Sequence, residues 1–168
     1  MNIRVLQEHD AEAYQALRLA GLQCDPDAFG STYEREAAFS LETVVDRIRP
    51  TEDKFVLGAF MDDGSLAGIV TFVRESGMKM KHKGNVYGMY VSAQARGAGV
   101  GKALLLALIK MSRNYEGLEQ LNLTVTSTNE AAKRLYQSVG FESYGIERRA
   151  LKFNDVYFDE DLMVYRLN

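Results

Sequence analysis

At 168 residues the chain is long enough for one domain with a sizeable core, and no linker or composition shift divides it, so residues 1–168 read as a single domain. Hydrophobic residues make up 46% and charged residues 26%, the balance of a globular protein rather than of a disordered one. A net charge of −3 argues against a nucleic-acid partner, and no apolar run reaches the roughly 18 residues of a membrane span.

Cys24 stands alone, which excludes a disulfide framework and a paired-cysteine metal site, and it reads as a small packed residue. The opening "MNIRVLQEHD" has no secretory apolar segment, so a reducing cytoplasm is the expected location. His9 and His82 are isolated from one another and from any acidic cluster, which argues against a metal site.

Along the chain, Ile3–Leu6 reads as a short strand. A helix follows over "DAEAYQALRLAGL", with Tyr14, Leu17 and Leu22 near helical spacing and Asp10 as N-cap. Leu41, Val44, Val45 and Ile48 fall at i, i+3, i+4 and i+7 of a second helix that Pro50 stops. Two β-rich runs between Phe55 and Val73 flank Asp62-Asp63-Gly64-Ser65, a hairpin signal. "MKMKHKG" (Met78–Gly84) reads as a solvated basic loop before the strand Asn85–Val91. Val100, Leu104, Leu108 and Met111 form the apolar stripe of a third helix, and "LNLTVT" (Leu121–Thr126) is a strand. Ser127 and Glu130 have the spacing of a capping box for a fourth helix that ends at Gly140, and "YFDEDLMVYRL" is the closing strand. Strands and helices do not alternate strictly, so the class is mixed α/β of the α+β type and not doubly wound.

The stretch "SAQARGAGVGKALLLAL" (Ser92–Leu108) sets Gly97, Gly99 and Gly101 on alternate positions ahead of the third helix. Backbone N–H groups exposed there, with the positive end of the helix dipole, suit a phosphate or pyrophosphate, and Arg96 and Lys102 add positive charge. The alternative is a tight strand-to-helix turn with no ligand. The dinucleotide fingerprint would need glycine where Lys102 stands, and the P-loop would need glycine at Arg96 and a hydroxyl at Ala103, so ATP and NAD are disfavoured.

What fits is R-x-x-G-x-G at Arg96, Gly99 and Gly101, followed by "STNEAAKRLYQSVGF" with Asn129, Ala132, Leu135, Tyr136, Gly140 and Phe141. Here the chain resembles the GNAT family of N-acetyltransferases. The resemblance implies a single-domain, largely antiparallel sheet of about seven strands flanked by about four helices. It also implies acetyl-CoA as cofactor, held by Met89, Tyr90, Val91, Arg96, Gly97, Ala98, Gly99, Val100, Gly101, Lys102, Asn129 and Tyr136. Read without the family, Asn129 is a helix cap and Tyr136 a core aromatic, two turns apart on one face.

The implied reaction is direct attack of a primary amine, from a small molecule or a peptide, on the acetyl thioester within a ternary complex. Gly88 suits a bulge in the fourth strand, and the Tyr90 N–H is assigned to the oxygen that gathers negative charge. Tyr136 matches the family's general acid for the departing thiolate. The base stays open among Glu75, Glu34, Tyr87 and a water relay. One subset, which acetylates ribosomal-protein α-amines, carries a glutamate where this chain has Thr124, and that departs from the subset.

In the resemblance, acceptor choice falls to "CDPDAFGSTYERE" and to the loop between the last two strands, "GIERRALKFNDVYFDED". Asp25, Phe29, Tyr33, Glu34 and Tyr87 are candidates for an amine pocket, and Glu147, Arg148 and Arg149 for a carboxylate grip. The same residues also fit a plain turn and a charged hairpin. A homodimer through the last strands is allowed. The rival reading is a non-catalytic acyl-CoA-binding sensor or interaction module on the same scaffold.

Overall fold

Runs rich in Val, Ile, Phe and Tyr become the strands of one sheet in the computed structural model, which describes residues 1–168. In chain order these are β1 (Asn2–Val5), β2 (Lys54–Phe60), β3 (Leu66–Arg74), β4 (Lys83–Val91), β5 (Gln120–Thr126), β6 (Glu142–Phe153) and β7 (Val156–Arg166). The spatial order is β1-β2-β3-β4-β5-β7-β6, and only β4 and β5 run parallel. The α+β expectation holds.

Helices α1 (Ala11–Cys24), α2 (Tyr33–Ala37), α3 (Leu41–Ile48), α4 (Val100–Ser112) and α5 (Glu130–Ser138) flank the sheet, the addition to the expected set being the short α2. Period-two alternation in β2 sends Phe55, Leu57 and Ala59 to one face, where α4 buries Val100, Leu104 and Leu108. Val56 points to the other face, against Tyr14 and Leu17 of α1 and Val44 and Ile48 of α3. No helix is long and apolar enough to cross a membrane.

Several local expectations are corrected. Asp10 does not cap α1: its carboxylate turns back to accept from the Gln7 N–H at 2.8 Å and from both Nη groups of Arg4. Ser127 does not cap α5. Its hydroxyl donates to Asp161 at 2.6 Å, and Asn129 is the cap, accepting from the Ala132 N–H. Leu41, placed on the apolar stripe of α3, lies in solvent at the first turn, which Ser40 caps. Cys24 ends α1 exposed rather than packed. The segment taken as a loop between the last strands is itself the β6–β7 hairpin, closed at Asn154-Asp155 with both φ positive, the geometry of a two-residue hairpin turn.

Candidate active site

The sheet parts at its centre. β4 and β5 pair only through Lys83–Asn85 and Gln120–Asn122, so Val86–Val91 has no strand on the β5 side. On its β3 side, β4 carries one extra residue between Tyr87 and Tyr90, which oppose Thr71 and Ile69. Gly88 takes φ 58° there, the bulge expected from the sequence. The bulge and the gap expose backbone polar groups of Met89 and Val91 to a cleft of about 580 Å³.

The Tyr90 N–H is not one of these groups. The Ser92 N–H donates to Ala67 O at 2.8 Å, and alternation along the unbroken register Gly68–Val91, Ile69–Tyr90 turns the Tyr90 N–H toward β3. The neighbouring Val91 carbonyl faces the other way, accepting from Arg96 Nε. The Tyr90 ring packs against Phe29 with centroids 6.0 Å apart.

The glycine loop closes one end of this cleft. Gly97 and Gly99 have φ of 81° and 79°, and a Cβ on either would meet nothing within 4 Å, so they serve the turn and leave its amide face open. Gly101 serves packing: a Cβ there would stand 3.0 Å from Leu135 and 3.1 Å from Met89. The first helical bond of α4 runs from the Ala103 N–H to Gly99 O, leaving the N–H groups before it at the cleft mouth. Arg96 is held by Asp25 of the α1–α2 connection at 2.6 Å. Lys102 is exposed beside this mouth, and Ala98 forms the loop's exposed crest. This cradle suits the pyrophosphate of acetyl-CoA, and the parted strands suit its extended arm.

At the other end stand Asn129 and Tyr136 of α5, both lining the cleft. Asn129 uses its amide oxygen as the cap, which leaves its amide nitrogen to the cleft. Tyr136 is buried, and burial pushes its phenol up to about 12.

A second cleft of about 450 Å³ opens on the far side of Tyr136. Tyr136, Met89, Phe29 and Thr124 line both clefts and form the wall between them. The second cleft also takes Tyr87, Gly88, Arg18, Arg47, Lys54 and Glu160. Arg18 grips Glu36 through Nε at 2.9 Å and Nη2 at 3.0 Å, and Arg47 also donates to Glu36. Burial would raise the Glu36 carboxyl, but hydrogen bonds from Arg18, Ser31 and Arg47 outweigh it and hold it at about 2. Burial pulls the Lys54 ammonium down.

A third cleft, about 470 Å³, lies between the α1–α2 connection and the β6–β7 hairpin, lined by Phe29, Tyr33, Glu34, Leu151, Phe153 and Phe158 among others. Phe29 therefore stands where all three meet, and Tyr33 and Glu34 lie away from Tyr136. Glu75 accepts from Asn85 Nδ2 at 2.7 Å and lines none of these clefts. Arg148 pairs with Asp159, and the Arg149 N–H donates to the same carboxylate while its guanidinium lies 4.7 Å over Tyr157. The expected carboxylate grip of Arg148 and Arg149 is thus engaged within the hairpin.

Arg18, Arg47 and Glu160 were missed from the sequence. Arg18 carried a signal: it falls four residues after Tyr14 and four before Leu22, on the buried stripe of α1. Glu160 carried none, since β7 brings it to the cleft only through pairing with β5.

A strand pair parted at a bulge, with an anion-binding helix mouth at one end and a buried phenol at the other, defines an acyltransferase-like scaffold. The comparison with known families is specific: the acetyltransferase (GNAT) domain model matches residues 3–162, and the chain belongs to that family. It resembles the GNAT-family acetyltransferase of Streptococcus pneumoniae with a TM-score of 0.85 and 26% identity over 98% of each chain. In sequence it is 28% identical over 97 residues to the L-amino acid N-acetyltransferase AaaT of Escherichia coli, covering 58% of this chain and 59% of that one. It is 42% identical over 64 residues to the mycothiol acetyltransferase of Thermobispora bispora, covering 38% of this chain. The match spans only 21% of that relative's length.

Proposed function

We propose that the chain is an acetyl-CoA-dependent N-acetyltransferase that acts on the primary amine of a small molecule or peptide. The observation that carries this reading is the shared wall: Tyr136 and Met89 border both the cleft with the glycine cradle and the cleft with the charged side chains. Family membership supports the donor, and the acceptor named for the Escherichia coli relative, an L-amino acid, is of a size suited to the second cleft.

Acetyl-CoA supplies an acetyl thioester, whose acetyl group passes to the amine with release of the thiol. N–H groups of Gly97 and of Gly99 to Lys102 bind the pyrophosphate, those of Arg96 and Ala98 being donated to Ala93 and Ala95, and Val91 and the Asn129 amide orient the amide-bearing arm. The Met89 N–H, at the junction of the clefts, takes the role first assigned to Tyr90, that of donating to the oxygen that gains negative charge. The acceptor ammonium loses two protons. One goes to solvent, by way of Glu160 or a water held by it, and the other balances the proton that Tyr136 Oη delivers to the departing sulfur. Burial suits Tyr136 to this role because it keeps the phenol protonated.

Two finer readings belong with this one. The lone Cys24 supports a reducing, cytoplasmic compartment. Outer strand β6 exposes Tyr144, Ile146 and Phe153, which supports a homodimer, and sedimentation equilibrium checks it.

The testing experiment is a thermal melt with acetyl-CoA, ATP or NAD, followed by thiol release with an amine panel. At ~100 times its Kd a ligand adds about 2.7 kcal/mol, or roughly 5–10 °C. A shift with acetyl-CoA alone, together with amine-dependent thiol release, is expected. No shift at millimolar acetyl-CoA overturns the reading. A shift without thiol release from any amine leaves an acyl-CoA-binding module instead.

A further inference from the structure

We propose that the acceptor carries a carboxylate close to its amine, as a free amino acid does, and that Nη1 of Arg18 receives it. This rests on the acetyl-transfer reading above.

Arg18 is only 5% exposed, yet its guanidinium is incompletely paired. Nε and Nη2 donate to the two oxygens of Glu36, while Nη1 is buried with no partner. An unmet donor on a buried cation is costly, so a group left in this state awaits an acceptor. Glu36 accepts from both arginines, so one carboxylate serves two guanidiniums. With Lys54 and Glu160 on the same cleft, three cations face two anions, a positive excess that favours a bound carboxylate group.

Direction follows from the surroundings. The Phe29 ring lies 4.7 Å from Arg18 Cζ and covers a face of the guanidinium, so donation occurs at its edge. That edge points to the bulge of β4. A Cβ on Gly88 would stand 3.5 Å from Nη1 and 3.7 Å from Thr71 Oγ1, so the glycine keeps a side chain from packing against this donor. Met89, to which the acetyl oxygen was assigned, is the next residue. A carboxylate on Nη1 therefore places an amine at Met89 only when the two groups are separated by a short link. Glu160 stands in the same cleft for the ammonium. A polyamine, with positive charge at both ends, meets Arg18, Arg47 and Lys54 instead.

Steady-state thiol release from acetyl-CoA tests this on the full chain, comparing each common amino acid with its own α-carboxamide, and spermidine alongside. At least one acid is expected to exceed its amide in kcat/KM by about 10- to 100-fold, the worth of one charged hydrogen bond. In Arg18→Gln that ratio should collapse to within about threefold, with the loss in KM, and Arg18→Lys should keep part of it. The acid-to-amide comparison in the unaltered chain needs no variant and decides the matter if Arg18→Gln fails to fold. Amides equal to or better than their acids, or turnover of spermidine alone, overturn the proposal while leaving acetyl transfer intact. Absence of turnover and of calorimetric heat for every amino acid, with CoA present, overturns it too. The acetyl-CoA melt then tells whether the donor reading falls with it.

Discussion

Arg96 Nη2 donates to Asp25 Oδ2 at 2.6 Å, a bond between residues 71 apart that ties the glycine loop to the connection after α1. Both side chains are substantially exposed, so the pair contributes below about 1 kcal/mol to stability. Its weight lies in placing a guanidinium at the mouth of α4. Arg96→Gln is expected to weaken acetyl-CoA about tenfold by calorimetry while moving Tm by less than about 3 °C. A large fall in Tm with unchanged affinity would make Arg96 a structural brace.

Gly99 and Gly101 should differ in their response to alanine, the first losing stability and the second changing little. Gly99 has φ 79° with open space around it, so Gly99→Ala meets backbone strain of about 1–2 kcal/mol and distorts the amide face, weakening acetyl-CoA. Gly101 is helical, where alanine gains up to about 1 kcal/mol of propensity, but its Cβ would press on Leu135 and Met89. Those contacts are with flexible side-chain ends, so Gly101→Ala should change stability by less than about 1 kcal/mol. Denaturant titrations of the two variants check the contrast.

Elements set by local pattern were legible in the chain: the Asp62–Ser65 hairpin turn, the α4 stripe, and the bulge at Gly88, whose glycine interrupts a strand. The glycine motif likewise marked the loop that lines the larger cleft. What stayed hidden depends on partners far along the chain. Ser127 reads as a cap until Asp161, brought over by β7, takes its hydroxyl. Arg148 and Arg149 read as a grip until Asp159 folds back across the hairpin. The Arg18–Glu36–Arg47 cluster joins three helices, and no spacing rule links them.

Tyr136→Phe separates chemistry from packing. Its hydroxyl has no hydrogen-bond partner within the chain, and burial alone pushes it up to about 12, so removing it should leave Tm within about 2 °C. If Oη delivers the proton to sulfur, kcat falls by about 10²- to 10⁴-fold with the KM for acetyl-CoA nearly unchanged. Because the phenol stays protonated, the unaltered chain should show no falling limb in kcat from Tyr136 below about pH 11. Rapid-quench and pH-rate measurements decide. An unchanged kcat removes Tyr136 from the reaction.

Glu36 gives the fold its acid sensitivity. Its carboxyl, held at about 2 against an ordinary value of 4.5, releases its proton more readily in the folded chain than in the unfolded one. The unfolded state therefore binds more protons between these values, and stability falls as pH falls. The contribution is complete above about pH 4.5 and is lost as pH drops through about 2. Glu36→Gln leaves Arg18 and Arg47 facing each other without their shared anion, and should cost about 3–5 kcal/mol near neutral pH. It should also flatten the acid limb between pH 4.5 and 2, because the group that titrates there is gone. Urea titrations across that range read both effects. Equal acid sensitivity in the two proteins would assign it to other carboxylates, such as Asp10 or Asp161, which their partners also hold low.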